Sequence, residues 1–160
     1  MAYIHGTNGS DHLTGTLTAD VIYGYRGNDI LLGYSGSDVL RGGRGRDVLR
    51  GGSGNDFLQG GPGTDILTGG SGADIFYFGP SSGQDIITDF SSWEGDSIIL
   101  DSSSFGLRAS TLGSHDFNQN FEIRGNVLSY NDQAFLQFDN ISGFDPSVLA
   151  SMKRHQSRKL

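Results

Sequence analysis

The sequence predicts an all-β chain: a right-handed parallel β-roll, built as a nonapeptide solenoid, followed by a β-rich C-terminal cap. Three observations carry this. Glycine supplies 26 of 160 residues, about twice its usual share. Of the 18 acidic residues, 16 are Asp and two are Glu, and Asp favours turns where Glu favours helices. Both residues recur in one fixed register from Gly6 to Tyr77, which a disordered Gly-rich linker has no reason to keep.

The period is nine. From Gly24 the chain reads GYRGNDILL, GYSGSDVLR, GGRGRDVLR, GGSGNDFLQ, GGPGTDILT and GGSGADIFY, preceded by GTNGSDHLT from Gly6 and GTLTADVIY from Gly15. Every one of these eight units has Gly first and Asp sixth: Asp11, Asp20, Asp29, Asp38, Asp47, Asp56, Asp65 and Asp74. The eighth position is always large and apolar: Leu13, Ile22, Leu31, Leu40, Leu49, Leu58, Leu67 and Phe76.

One unit contains its own geometry. Positions 1 to 6 are turn chemistry, since Gly permits positive φ and Asn or Asp satisfies nearby backbone. Positions 7 to 9 favour a short three-residue strand, with position 8 facing inward and its neighbours outward. Each unit is then half a coil, and strands 18 residues apart stack in parallel at roughly 4.8 Å. The loops fall into two columns, one with Asp11, Asp29, Asp47 and Asp65, the other with Asp20, Asp38, Asp56 and Asp74.

Such columns repel themselves. Two carboxylates about 5 Å apart cost roughly 3 kcal/mol at an effective dielectric near 20. A cation between successive loops reverses the sign. Carboxylate and carbonyl oxygens in an irregular shell suit calcium, whereas magnesium demands a stricter octahedron. Several Ca2+ ions are therefore expected.

These units resemble the RTX (repeats-in-toxin) nonapeptide GGxGxDxUx over residues 6–77. The resemblance implies calcium held between loops by position-6 Asp carboxylates with backbone carbonyls of the Gly-rich turns. Carried over, the ligand set is the eight Asp residues named above with the turn glycines Gly24, Gly33, Gly42, Gly51, Gly60 and Gly69. Thr18 departs from the pattern at position 4, after Leu17, and Thr7, Thr16, Tyr25 and Tyr34 replace the second Gly. The strongest loops are expected between Gly42 and Asp74, and the Asp20 loop is expected to be weak. Further on, GADIFYF, QDIITDF and EGDSIIL resemble the segment after the repeats in serralysin-type proteases and in the repeat modules of secreted alginate epimerases, up to about Leu100.

The second half reads as β. Apolar runs fall at Ile75–Phe78, Ile86–Phe90 and Ile98–Leu100. A meander is expected from Phe121–Arg124, Val127–Tyr130 and Ala134–Phe138, with turns at Gly125–Asn126 and Asn131–Asp132. Asp145 before Pro146 starts a short helix, Pro146–Met152. The expected domains are a roll over 1–78, a cap over 79–152 covering the open solenoid end, and a basic tail over 153–160.

Other constellations point away from catalysis. Gly79-Pro80-Ser81-Ser82-Gly83 has the letters of a hydrolase elbow, but an elbow leads from strand into helix, and Gln84–Phe90 reads as strand. His5, His12, His115 and His155 are scattered, and no His-Glu-x-x-His exists. Without Cys, zinc–thiolate, iron–sulfur, disulfide and cysteine-nucleophile chemistry is excluded. Asp85, Asp89, Asp96 and Asp101 read either as a further calcium site or as strand-end turns. Arg26, Arg41, Arg44, Arg46 and Arg50 read either as balancing charge for nearby Asp or as a stripe for an acidic polysaccharide such as alginate.

The expected function is therefore a non-catalytic calcium-binding module of a larger secreted bacterial protein, exported by type I machinery and folding extracellularly on calcium. The alternative is a carbohydrate module holding an acidic polymer for a catalytic partner. Net charge −7 disfavours nucleic acid. Met1 to Asp20 has no apolar run of signal-peptide type, no segment is long enough to span a membrane, and a monomer is expected.

Overall fold

The computed structural model describes residues 1–79 and 81–101 together with the backbone of three later strands. Eleven strands form the main body: β1 Tyr3–His5, β2 His12–Thr14, β3 Val21–Arg26, β4 Ile30–Ser35, β5 Val39–Arg44, β6 Val48–Ser53, β7 Phe57–Gln59, β8 Ile66–Ser71, β9 Ile75–Phe78, β10 Asp85–Ile87 and β11 Ser97–Leu100. The later strands are β12 Phe121–Arg124, β13 Val127–Tyr130 and β14 Gln133–Phe138. Odd and even strands of the main body separate into two sheets, and all three later strands join the even one: β1-β3-β5-β7-β9-β11 and β12-β13-β14-β10-β8-β6-β4-β2. Within the repeats all pairings are parallel and offset by 18 residues, as in Ile22↔Leu40 and Leu31↔Leu49. The chain is thus a parallel β-solenoid.

The core is the position-8 ladder. Ile22, Leu31, Leu40, Leu49, Leu58, Leu67 and Phe76 have no exposed surface, and burying such a side chain contributes about 1.5–3 kcal/mol each. Phe78, Ile87 and Ile98 continue the ladder beyond the repeats. Leu13, in the first coil, stays partly open.

Within the repeats β2 and β7 have the expected three residues, but most strands are longer. In β3, β4, β5, β6 and β8 each runs six residues, from position 7 through position 3 of the next unit. Position 1 interrupts the register, so that Tyr23↔Arg41 is followed directly by Tyr25↔Gly43. Reading the Gly-rich start of each unit as pure turn misses this, because the second residue resumes pairing in a left-handed conformation. Gly43 and Gly52 adopt φ of 108° and 115° there, and Tyr25 and Tyr34 are forced to 78° and 75°, a conformation that costs a non-Gly residue about 1–2 kcal/mol.

After the repeats, β10 pairs with β8 and β11 with β9, so both sheets extend past residue 78. Strand β14 then adds in parallel to β10, and β12, β13 and β14 form an antiparallel meander. The expected run Ile86–Phe90 is the shorter strand β10. Ser82 N donates to Gly79 O at 3.3 Å and Ser81 has φ 67°. With a strand following, the Gly79–Gly83 segment is a turn. The expected turns at 125–126 and 131–132, the helix at 146–152 and the tail at 153–160 lie outside the described residues, as do His115 and His155. No helix among the described residues is long and apolar enough to cross a membrane.

Candidate calcium-binding columns

Turn geometry places every position-6 Asp except the half-buried Asp11 inside the roll edge rather than on its surface. Asp20, Asp29, Asp38, Asp47, Asp56, Asp65 and Asp74 are all at most 2% exposed. Each Oδ1 accepts a backbone N–H from the coil before. In one column Asp11 N donates to Asp29, Asp29 N to Asp47 and Asp47 N to Asp65, each at 2.8 Å. In the other, Ala2 N donates to Asp20 at 2.6 Å, Asp20 N to Asp38 at 2.7 Å, Asp38 N to Asp56 at 2.8 Å and Asp56 N to Asp74 at 2.9 Å. The two columns anticipated from the period are therefore present. An amide stands between successive carboxylates, so their opposition is less bare than spacing alone implies.

The second oxygens separate the units into two kinds. Asp11 Oδ2 accepts from Thr7 N at 2.6 Å and Thr7 Oγ1 at 3.0 Å. Asp20 Oδ2 accepts from Thr16 N at 2.6 Å and Thr16 Oγ1 at 2.7 Å. In every later unit position 2 is Tyr or Gly, and Oδ2 is buried without a partner: Asp29, Asp38, Asp47, Asp56, Asp65 and Asp74, joined by Asp85. Leaving a buried acceptor unsatisfied costs about 1–3 kcal/mol, more when it is charged.

Position 1 shows where these oxygens point. A Cβ on Gly6 would meet Asp11 Oδ2 and Gly24 O, both at 2.8 Å. On Gly24 or Gly33 it would meet the Oδ2 of Asp29 or Asp38 and, at 2.5 Å, the carbonyl of Gly42 or Gly51. Only glycine fits, and a carboxylate oxygen and a carbonyl from the next coil converge beside it. Carboxylate plus carbonyl is the donor set of a hard divalent cation, so the residues present fit calcium. Among the described residues no three Asp, Glu or His side chains converge on one point. Carboxylates in a column stand a coil apart, with backbone oxygens making up the difference.

The electrostatics follow the same division. Burial raises Asp29, Asp38 and Asp74 above the usual carboxylate value, and pushes Asp47 and Asp56 to about 6 and Asp65 to about 7. The amide bond from the previous coil opposes this, and neighbouring carboxylates add to it. Asp20 moves the other way. The Ala2 amide, with the Thr16 hydroxyl and amide, holds it below its ordinary value despite burial.

The four later Asp residues divide. Asp65 N donates to Asp85 Oδ1 and Asp74 N to Asp96 Oδ1, both at 2.9 Å, so Asp85 and Asp96 extend the two columns. Burial pushes Asp85 to about 7 and Asp96 to about 6. Asp89 accepts from Gly69 N at 2.9 Å and Gly70 N at 2.8 Å, and Asp101 accepts from Tyr77 OH at 3.3 Å. The period hid Asp85 and Asp96 because their offsets are 20 and 22 rather than 18. The signal that finds them is Asp-x-apolar: Asp85-Ile86-Ile87 and Asp96-Ser97-Ile98 repeat positions 6 to 8 after longer loops.

Arg26, Arg41, Arg44, Arg46 and Arg50 are all exposed. Arg26 and Arg44 are register partners on β3 and β5, and Arg46 follows in the same loop as Arg44. Arg41 and Arg50 lie on opposite sheets. Among the described residues none of the five pairs with a carboxylate, since the Asp side chains are buried in the columns.

Comparison with known proteins agrees with this geometry. Residues 5–40, 32–67 and 41–76 match the family described as RTX calcium-binding nonapeptide repeat (4 copies). No curated protein matches the chain. Among solved structures, a subunit of the Azotobacter vinelandii mannuronan C5-epimerase is 34% identical, over 59% of this chain and 46% of that one, with a TM-score of 0.39. An extracellular lipase of Serratia marcescens is 14% identical, over 88% of this chain and 38% of that one, with a TM-score of 0.37. The chain spans less than half the length of either.

Proposed function

Residues 5–76 being RTX calcium-binding nonapeptide repeats, we propose that this chain is a non-catalytic module whose roll is completed by a column of calcium ions along each edge. The observation that carries the reading is the set of seven buried, partnerless Asp Oδ2 atoms. Asp29, Asp38, Asp47, Asp56, Asp65, Asp74 and Asp85 would supply carboxylate oxygens, with turn carbonyls such as those of Gly42, Gly51 and Gly69 beside them. Bound calcium supplies positive charge to oxygens that no donor in the chain satisfies. The Asp11 and Asp20 sites are the weak ones, because Thr7 and Thr16 already occupy their second oxygens.

This assigns calcium a folding role. Without it the roll must bury charged carboxylates or hold protons on them, so a calcium-poor cytoplasm keeps the chain loose and a calcium-rich exterior closes it. Extracellular modules work with calcium sites of about 10⁻⁴–10⁻³ M. The module would belong to a larger protein exported by type I machinery, with residues 1–78 as the repeats, 79–152 as the closing cap and 153–160 as a basic tail. Calorimetric titration of calcium into the chelator-treated chain tests the reading. The expected stoichiometry approaches the number of orphan oxygens, seven; one or two ions would rule out stacked sites.

A second reading has its own support. Arg26, Arg44 and Arg46 gather on one edge with no carboxylate partner, and an acidic polysaccharide such as alginate would meet three guanidinium forks there. Such binding should weaken with salt and be lost in the Arg44→Ala/Arg46→Ala double variant.

A further inference from the structure

The outward faces of the two sheets differ. On the eight-stranded sheet the outward residue at position 9 is Thr14, Leu32, Arg50 or Thr68 in successive coils, with no aromatic ring. On the six-stranded sheet the same position carries His5, Tyr23, Arg41, Gln59, Tyr77 and then Ile99. Phe57 projects beside this row, its ring centroid 5.8 Å from that of Tyr77. The Arg41 guanidinium lies 5.7 Å from the Tyr23 ring and 5.9 Å from the Phe57 ring. Arg41, Phe57, Gln59, Tyr77 and Ile99 line a groove of about 420 Å³, within the roughly 300–1,000 Å³ range of ligand sites.

Nothing in the calcium role needs this face. Its aromatic rings are half-buried at most and add nothing to the ion columns, which lie at the roll edges. Tyr25 extends the aromatic row, its ring stacking with His5 at 5.9 Å and Tyr23 at 6.0 Å. Its left-handed φ of 78° is shared by Tyr34 on the eight-stranded sheet, at 75°, so the contrast between the faces rests on the stacked rings and not on the backbone.

We propose that this groove binds an uncharged pyranose chain, lying across the strands with sugar faces on Tyr23, Phe57 and Tyr77 and sugar hydroxyls on Arg41 and Gln59. Aromatic rings offer flat apolar area, which suits the C–H face of a pyranose. The exposed guanidinium of Arg41 carries five N–H donors, and the Gln59 amide, with no hydrogen-bond partner among the described residues, offers both donor and acceptor. Tyr23 and Tyr77 stand three coils apart, roughly 14 Å at sheet spacing, so the ligand is a short chain rather than one sugar. Charge selects against a polyanion. Among the described residues that line it the groove holds a single cation, Arg41, the Asp101 carboxylate stands against Tyr77 OH, and the chain as a whole carries −7. This face is separate from the Arg26–Arg44–Arg46 edge, and the proposal needs only that the roll is folded.

The test is an NMR titration of the calcium-loaded full chain with hexamers of glucose, mannose and galactose, and with a mannuronate hexamer as the charged counterpart. An uncharged hexamer should shift the resonances of Arg41, Phe57, Gln59, Tyr77 and Ile99 at millimolar concentration. Tyr77→Ala should weaken it at least about tenfold, and Gln59→Ala about threefold, with calcium-induced circular dichroism unchanged. If Tyr77→Ala fails to fold on calcium, the half-buried Gln59→Ala variant decides alone. No shift at these residues with any uncharged hexamer overturns the proposal. So does stronger binding of the mannuronate hexamer, or shifts confined to the Arg44–Arg46 edge. Loss of calcium-induced β-structure in the unmodified chain would instead count against the calcium role.

Discussion

The first two repeats and the later ones differ in the backbone at position 2, where Tyr25, Tyr34 and Gly43 hold a positive φ and Thr7 and Thr16 do not, and they satisfy their central Asp differently. In the units of Asp11 and Asp20, a threonine at position 2 gives the carboxylate both a backbone and a hydroxyl donor. From Asp29 onward that residue is Tyr or Gly, and the second oxygen is buried alone. Local donors in the early units satisfy an oxygen that, in the others, no donor among the described residues reaches. The pKa directions agree, with Asp20 lowered and Asp29 through Asp85 raised. The backbone and side chain of position 2 together separate loops whose Oδ2 has local donors from loops whose Oδ2 has none.

Substitution of the Asp residues should break this comparison most severely. Asp47→Ala and Asp56→Ala should each remove at least one ion from the calorimetric stoichiometry. At calcium a hundredfold above Kd, each lost ion forfeits about 2.7 kcal/mol of stability. Asp20→Ala should leave the stoichiometry unchanged. It should still cost about 1–3 kcal/mol, because the amides of Ala2 and Thr16 lose their acceptor. Equal stoichiometric losses for all three variants would erase the distinction.

Proton binding sharpens it next. Asp65 and Asp85 sit at about 7 and Asp47, Asp56 and Asp96 at about 6 in the roll, against 3.8 for an ordinary Asp. The folded calcium-free state therefore binds more protons than the unfolded chain between these values. Its stability is greatest below pH of about 4 and is lost as pH rises through 6 to 7. A chelated sample should gain β-structure when taken from pH 7.5 to 5, while calcium affinity falls over the same interval because ligands must be deprotonated. Circular dichroism and calcium titration at the two pH values check both signs.

The smallest effect belongs to Thr16→Val. It removes the hydroxyl bond to Asp20 Oδ2 and keeps the backbone one, so it should cost about 1 kcal/mol and leave the tightest calcium sites unchanged. Chemical denaturation of the calcium form measures it.

Much of this was legible in the period of nine. The solenoid, the inward ladder from Ile22 to Phe76 and the two Asp columns all follow from spacing and residue type. The local donors of Asp20 were less legible. Thr18 stands out as a missing glycine, while it is Thr16 whose hydroxyl and amide donate to Asp20. Strand length was misread because a Gly-Gly pair looks like turn, whereas here the first glycine makes room for Asp Oδ2 and the second resumes pairing at positive φ. Asp85, Asp89, Asp96 and Asp101 stand out together, but spacing alone does not single out Asp85 and Asp96 as the two that extend the columns, because loops of altered length carry them past the period. The aromatic face of the six-stranded sheet was invisible as a surface, because Tyr23, Phe57 and Tyr77 are far apart in sequence and meet only when coils stack.

The central claim is that the later loops are incomplete without calcium, and far-ultraviolet circular dichroism of the full chain at pH 7.5 and low salt tests it most directly. The expected result is a largely unfolded spectrum in chelator that turns β-rich as calcium is added, with magnesium a poor substitute. A spectrum equally β-rich in chelator and in calcium would contradict it.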